Sequence, residues 1–350
     1  MASRSLSVAG FRLHLEVPDR SVGLAARVRR RLRRPRAGPA GGAPSLVEVT
    51  PLPSVQAQAR EPQRALDFLR DPSLAGDGRP SPSVARYLAQ AEAKRREATT
   101  LADTIASYPW YHTIELPGSV TTPGSHDLRP VVDLVGLPDR LDGLRALDVA
   151  TYDGFWAFEL ERRGAEVVAI DLPSTAALDW PTGARDVIRA EGLDLPIGQP
   201  FRLAAEALGS SVRRVDCSVY DLDPDALGRF DLVMVGDLLL HLEHPLAALR
   251  AIRSVTDGTL VMIDRYHPAI SGDGRRLLEY VGGWDGLEWW RPSLEALVQM
   301  VVDAGFEHVE VRHGLRITNL LATVEGWDRA VIHARTSSDR SLDAAGPRPR

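Results

Sequence analysis

Short unbroken apolar runs, bounded by charge, alternate along the middle of this chain with stretches whose apolar positions recur every three or four residues. The runs are Arg145–Ala150, the one ending at Asp171, Phe230–Gly236 (FDLVMVG) and Thr259–Asp264. A strand covered on both faces shows such a run rather than a polar alternation, so each predicts a buried parallel strand. Between the first two, Phe155–Arg163 reads as a helix stopped by Gly164. Phe201–Leu208, Pro245–Val255 and Pro292–Ala304 read as further helices, the last with Ser293 placed to cap it, and Val212–Cys217 as another strand. GFEHVEVRHG and GWDRAVIHART supply two closing strands. Strands alternating with helices in this way predict a doubly wound α/β domain over residues 131–335.

Outside that domain the pattern weakens. Residues 1–82 show no sustained period and are expected to be a disordered basic arm and linker, with one short strand around Phe11–Val17. Residues 83–130 read as a polar helix from Ser83 to Ser107, expected over the mouth of the domain, followed by YPWYHTIELPGSVTTPGSHDLR. That aromatic segment reads equally as a strand packed by its rings or as a lid whose Trp110, Tyr111 and His112 line a ligand site. Residues 336–350 are rich in Pro and Arg and expected to be loose.

Charge narrows the range of partners. Residues 1–36 hold ten Arg against Glu16 and Asp19, a local +8, so with a net charge of −5 the remainder carries −13. An acidic body is a poor surface for a phosphate backbone, which disfavours tRNA without excluding it, because the basic arm keeps RNA or an anionic membrane open. No apolar run is long enough to span a bilayer, and the single cysteine, Cys217, fits a reducing, cytoplasmic setting.

The strand, loop, helix and strand from Leu147 to Asp171, LDVATYDGFWAFELERRGAEVVAID, form the arrangement by which doubly wound folds hold an adenosine. The loop backbone passes under the ligand and the closing carboxylate accepts the ribose hydroxyls. A dinucleotide needs glycines where two phosphates approach the backbone, but Ala150, Tyr152 and Gly154 occupy those positions, so a diphosphate would meet a tyrosine. S-adenosylmethionine (SAM) has no phosphate, and Asp148, Gly154 and Asp171 supply what it requires.

The order of acid, small residue, glycine and second acid resembles motifs I and II of class I SAM-dependent methyltransferases. With PWYH, FDLVMVGDLLLHLEHPLAALRAI, the helix opened by RPS and ending in AGF, and the closing DRAVIHAR, the chain is similar to the tRNA wobble-uridine carboxymethyltransferase-like branch from about Tyr108 to Arg335. The resemblance implies a Rossmann-like sheet of seven strands, mostly parallel, with the last strand antiparallel. It also implies SAM as cofactor, held by Asp148, Ala150, Tyr152, Gly154, Asp171, Leu172 and Gly236, with the stretch from Cys217 to Tyr220, Cys217, Ser218 and Val219 foremost, at the adenine. Relatives that use carboxy-SAM hold its carboxylate with a lysine, a tyrosine and an arginine, which fall here on His112, Leu240 and Arg329. Only the arginine is kept, and a carboxylate buried without its partners is costly, so ordinary methyl transfer is expected.

His241, at the carboxyl edge of the fourth strand, is the first candidate base, with packing or a hydrogen bond to Glu243 as its other reading. His112 and His267 are the next candidates, and Asp237 is expected instead to orient an acceptor hydroxyl. Trp110, Tyr111, Arg265, Tyr266 and Arg329 are the substrate candidates, the arginines as anchors for an anionic group. Asp216 reads equally as an adenine acceptor or a polar strand end. Asp171, Asp237 and Asp264 end different strands and make no metal-ligand spacing, so no metal is expected. The favoured function is methyl transfer to an O or N atom of a small molecule, such as a sugar or specialised metabolite. A tRNA-modifying transferase is the alternative and a non-catalytic SAM-binding protein the third.

Overall fold

The computed structural model describes residues 4–8, 11–15, 45–49, 82–181, 184–190, 192–283, 287–317 and 327–336. The chain divides into two compact units, Met1–Arg36 and Ala37–Arg350. The first contains an antiparallel hairpin of β1 (Arg4–Val8) and β2 (Phe11–Leu15), with Val8 opposite Phe11. The strand expected around Phe11–Val17 is therefore present and has a partner that the sequence did not signal. Most of the expected linker and the loose tail lie outside the described residues.

The second unit opens with β3 (Leu46–Val49), a strand where none was expected. Helices α1 (Pro82–Glu97) and α2 (Leu101–Ala106) follow, in place of one continuous helix. The break has a local cause: Thr100 caps α2, accepting from the Asp103 N–H at 3.1 Å while Asp103 accepts from the Thr100 N–H at 3.1 Å. A small hairpin, β4 (Glu115–Leu116) and β5 (Val120–Thr121), occupies the aromatic segment.

The domain then runs β6 (Arg145–Val149), α3 (Phe155–Arg162), β7 (Glu166–Asp171), α4 (Ala184–Ala190), α5 (Gln199–Leu208), β8 (Arg213–Asp216), α6 (Pro224–Leu227), β9 (Phe230–Gly236), α7 (Pro245–Val255) and β10 (Thr256–Arg265). After β10 come a short hairpin of β11 (Leu278–Tyr280) and β12 (Trp290–Pro292), α8 (Leu294–Asp303), β13 (His308–Ile317) and β14 (Trp327–Arg335). The Ser293 hydroxyl accepts from the Ala296 N–H at 3.1 Å, so α8 begins where its cap predicts.

The main sheet is ordered β3-β13-β14-β10-β9-β6-β7-β8. Strand β14 runs antiparallel between β10 and β13, as the resemblance implies. Among the described residues the sheet has eight strands rather than seven, because Leu46–Val49 pairs parallel with Gly314–Ile317. Successive residues of β9 go to opposite faces: Leu232 and Met234 pack with Phe155, Phe158 and Leu160 of α3, while Val233 and Val235 pack with Leu249 and Ile252 of α7 and Leu297 of α8. Burial on both faces is why these strands read as continuous apolar runs. It leaves the carboxyl ends of β6, β7, β8, β9 and β10 as the open edge, where ligands bind in such sheets. No helix among the described residues is long and apolar enough to cross a membrane.

Candidate active site

Three residues of the loop after β6 have positive φ: Ala150 at 58°, Tyr152 at 51° and Gly154 at 94°. The loop thus keeps a glycine-type backbone at the three compared positions while retaining only one glycine. A side chain at Gly154 forces its neighbours to shift, because a Cβ there would stand 2.3 Å from the Phe158 ring and 2.8 Å from Phe201. Ala150 and Tyr152 hold the left-handed conformation at about 1–2 kcal/mol each.

Asp171 holds the loop in that shape. Its two carboxylate oxygens accept from the Tyr152 and Leu172 N–H groups, both at 2.7 Å. Each oxygen keeps further lone-pair capacity, which suits two ribose hydroxyls. Burial pushes the Asp171 carboxyl up, against those hydrogen bonds. Asp148 lies behind the loop, 2% exposed, with one carboxylate oxygen lacking a hydrogen-bond partner; burial pushes its carboxyl up to about 7. An orphaned buried acid of this kind fits a cationic amino group.

A cleft of about 80 Å³ opens beside the loop, lined by Ala150, Asp171, Leu172, Cys217, Ser218, Val219 and His241, with Leu178, Asp179, Tyr220, Leu238 and Leu242 among the other walls. The structure therefore brings together the ribose and adenine candidates and the first candidate base. Cys217 is tied to the strand by its N–H, which donates to the Asp171 carbonyl at 2.8 Å, and burial raises its thiol. Gly236, at the end of β9, lies against Trp156 and outside the cleft lining. Asp216 is half-exposed and paired with Arg214, so it is a polar strand end.

Asp179 is a cleft residue that sequence reasoning missed, while Tyr220 ends the stretch expected at the adenine and does line the cleft. The Tyr220 hydroxyl donates to Asp179, whose carboxylate also accepts from the Glu243 N–H at 2.8 Å. Asp179 sits in an irregular stretch without periodicity, and no signal marks it.

His241 Nδ1 faces the Leu287 carbonyl oxygen at 3.2 Å. A carbonyl only accepts, so Nδ1 carries the proton and Nε2 keeps its lone pair. Burial, followed by the nearby Arg265 guanidinium, lowers the His241 imidazole below its ordinary value, which favours the neutral form. The Glu243 side chain is not its partner; the Glu243 backbone N–H is bound to Asp179.

The other polar candidates already hold one another. Arg329, 1% exposed, donates to Asp237 through Nε at 2.8 Å and through Nη2 at 2.6 Å. Arg265 lies 3.8 Å from Asp237 and donates to Glu288 at 3.0 Å. Burial would raise the Asp237 carboxyl, but the two guanidiniums outweigh it and hold it well below the usual carboxylate range. Asp237 is thus a paired anion and a weak proton acceptor, and the arginines expected as anion anchors are charge-balanced. Tyr111 reaches Asp237 at 3.4 Å and stacks on His126 with ring centroids 4.3 Å apart; burial pushes the Tyr111 phenol up to about 12 and the His126 imidazole down to about 3.

Three substrate or base candidates take structural positions instead. Trp110 is in the core, donating from its indole N–H to the Ile105 carbonyl at 2.8 Å. Tyr266 is buried in the core on the other face, with its hydroxyl beside Gly314 on β13. His112 is held by Asp153: Nδ1 lies 2.5 Å from Oδ1, while Oδ2 accepts from the Tyr111 and His112 N–H groups at 2.9 and 2.8 Å. Fully buried Asp153 thus ties the aromatic segment to the loop after β6, where Tyr111 also meets Tyr152 edge-on with ring centroids 5.8 Å apart. Among the described residues no cluster of three His, Cys, Asp or Glu side chains could hold a metal.

Comparison with known proteins places this geometry in a family. The curated relatives include the magnesium-protoporphyrin O-methyltransferase of Rhodobacter capsulatus, 34% identical over 119 residues, which are 34% of this chain and 43% of that protein. They also include the ubiquinone biosynthesis O-methyltransferase of Xanthomonas campestris pv. campestris, 31% identical over 140 residues, 39% of this chain and 50% of that one. The chain spans about half the length of the curated relatives it matches. Among solved structures, the 1,6-didemethyltoxoflavin N1-methyltransferase of Burkholderia thailandensis with bound S-adenosylhomocysteine superposes with a TM-score of 0.39 at 20% identity, covering 60% of this chain and 77% of that one. The family model described as a methyltransferase domain matches residues 124–311, more than half of the chain, and so the protein belongs to the class I SAM-dependent methyltransferases.

Proposed function

We propose that the protein transfers a methyl group from SAM to an oxygen or nitrogen of a small-molecule acceptor. The observation that carries this reading is one cleft lined by both Asp171 and His241, with the His241 Nδ1 tied to a carbonyl. The cofactor supplies a methyl group activated by a sulfonium. Asp171 binds the ribose, Asp148 balances the amino group, and Ser218 and Val219 flank the adenine. His241 Nε2 takes the proton from the acceptor as the new bond forms. Alignment of the acceptor with the methyl group accounts for most of the remaining acceleration. Two curated relatives named O-methyltransferases favour an oxygen acceptor.

The wobble-uridine alternative is weaker on physical grounds. Arg329, the retained member of the carboxylate-binding set, is engaged by Asp237, and Arg265 by Glu288. Calorimetric titration of the full chain with SAM, carboxy-SAM and NAD tests these readings, with Asp171→Ala as control. SAM binding lost by at least ~100-fold in the variant is the expected result, since two charge-assisted hydrogen bonds disappear. Preference for carboxy-SAM would revive the tRNA reading. SAM binding without turnover on any acceptor in a broad screen would favour the non-catalytic one, and no SAM binding would refute the assignment.

A further inference from the structure

The insertion between β10 and α8 is fastened to the catalytic edge at every residue from Leu287 to Trp290. The Leu287 carbonyl faces His241 Nδ1 at 3.2 Å. Glu288 accepts from Arg265 at 3.0 Å and from Arg291 Nε at 2.9 Å. The Trp289 N–H donates to the Leu240 carbonyl at 2.7 Å, and its indole N–H to the Asp179 carbonyl at 2.6 Å. The Trp290 indole donates to the Glu243 carbonyl at 3.1 Å.

Leu287 itself has a φ of 62°, in the region that favours glycine. A leucine stays there only when its surroundings hold it. Its carbonyl, the atom that fixes the proton on His241 Nδ1, is therefore aimed by its neighbours. Trp289 anchors the backbone on one side; the adjoining side chain is Glu288, only 7% exposed, which bridges Arg265 of the sheet and Arg291 of the insertion.

We propose that Glu288 is a positioning residue for His241. By gripping Arg265 on one side and Arg291 on the other, it keeps the Leu287 carbonyl against Nδ1 and so keeps Nε2 as the nitrogen with the free lone pair. This rests on the reading of His241 as the base, but it concerns the tautomer and is measurable without an acceptor. When Glu288 is removed, Leu287 relaxes from positive φ, its carbonyl turns away, and the imidazole exchanges between tautomers.

The test is a long-range ¹H–¹⁵N correlation spectrum of the full chain labelled with ¹⁵N-histidine, with the His241 signals identified by their loss in His241→Gln. The wild type is expected to show the Nδ1–H tautomer alone. Glu288→Ala is expected to lose that single-tautomer signature while retaining SAM binding by calorimetry, which shows that the fold survives. Glu288→Gln, which keeps an acceptor oxygen, is expected to rescue it in part. An unchanged tautomer in Glu288→Ala overturns the proposal. If that variant does not fold, Arg291→Gln removes the outer half of the brace, and an unchanged tautomer there overturns it equally. Should His241→Gln leave methyl transfer intact, the base reading fails while the tautomer result stands on its own.

Discussion

Arg329 and Asp237 meet at the carboxyl edge with the Arg329 Nε at 2.8 Å from both carboxylate oxygens. Arg329 on β14 is the register partner of Arg265 on β10, so two adjacent guanidiniums face one carboxylate that lies just past β9. Removing one member of a buried pair leaves the other charge uncompensated, whereas replacing both with apolar groups is often close to neutral. Arg329→Met is expected to cost about 3–5 kcal/mol. The double variant Arg329→Met, Asp237→Asn, which removes both charges and keeps a residue that tolerates the φ of 46° at position 237, is expected to recover part of that loss. Urea denaturation midpoints of the three proteins check this, and a double variant no more stable than the single one would contradict it.

Asp148 makes stability depend on pH in an unusual direction. Burial holds its carboxyl near 7 in the folded protein against an ordinary 3.8, so between those values the folded protein keeps a proton that the unfolded chain has released. The contribution is fully present below 3.8 and is lost as pH rises through 7. The difference corresponds to about 4 kcal/mol. Asp148→Asn cannot ionise and is expected to be more stable than the wild type at pH about 8, by up to that amount, with little difference at pH about 4. Thermal melts at the two pH values read the sign. The same variant is expected to bind SAM more weakly, because the neutral amide no longer balances an amino group.

His241 is expected to govern the acid limb of the reaction. The reactive form is the neutral imidazole, and burial lowers its titration below 6.5, so activity is retained down to mildly acidic pH and lost as pH falls further. His241→Gln is expected to reduce kcat by about 10²–10⁴-fold and to abolish that limb, with SAM affinity nearly unchanged. A pH–rate profile on any acceptor found by screening measures both, and a variant with wild-type kcat would remove His241 from the reaction.

The sheet was legible because burial on both faces leaves a plain mark: Leu232 to Val235 are apolar in succession, and so is the strand before Asp171. That Asp171 and Cys217 end or follow strands at the carboxyl edge was legible in the same way. What stayed hidden depends on distance and backbone. His112 and Asp153 are 41 residues apart, and no local pattern joins them. The Leu287 oxygen that holds His241 is a backbone atom, which has no signature in a sequence at all. Trp110 and Tyr266 were misplaced because an aromatic side chain in a core and one beside a substrate look alike until the packing is known. Strand β3 escaped notice because a four-residue edge strand in proline-rich surroundings carries too short a run to separate from a linker.

Ala150 and Gly154 sit in one loop with the same sign of φ and are expected to respond to substitution in opposite directions. Ala150→Gly relieves a left-handed alanine, at 58°, without removing a recorded hydrogen bond. The relief of about 1–2 kcal/mol is partly offset by the greater freedom of glycine in the unfolded chain, leaving a net gain of about 0.5–1 kcal/mol. Gly154→Ala meets both the backbone penalty and a Cβ 2.3 Å from the Phe158 ring, which packs against Phe201 and cannot withdraw alone. Its cost is expected to exceed about 2 kcal/mol, and the displaced loop should also weaken SAM binding, since Tyr152 would lose its place over Asp171. Chemical denaturation with and without SAM separates the two effects. Opposite signs would show that the loop is held in a glycine geometry by Asp171 and the aromatic floor; equal destabilisation would mean that Ala150 is matched to its place in a way that φ does not reveal.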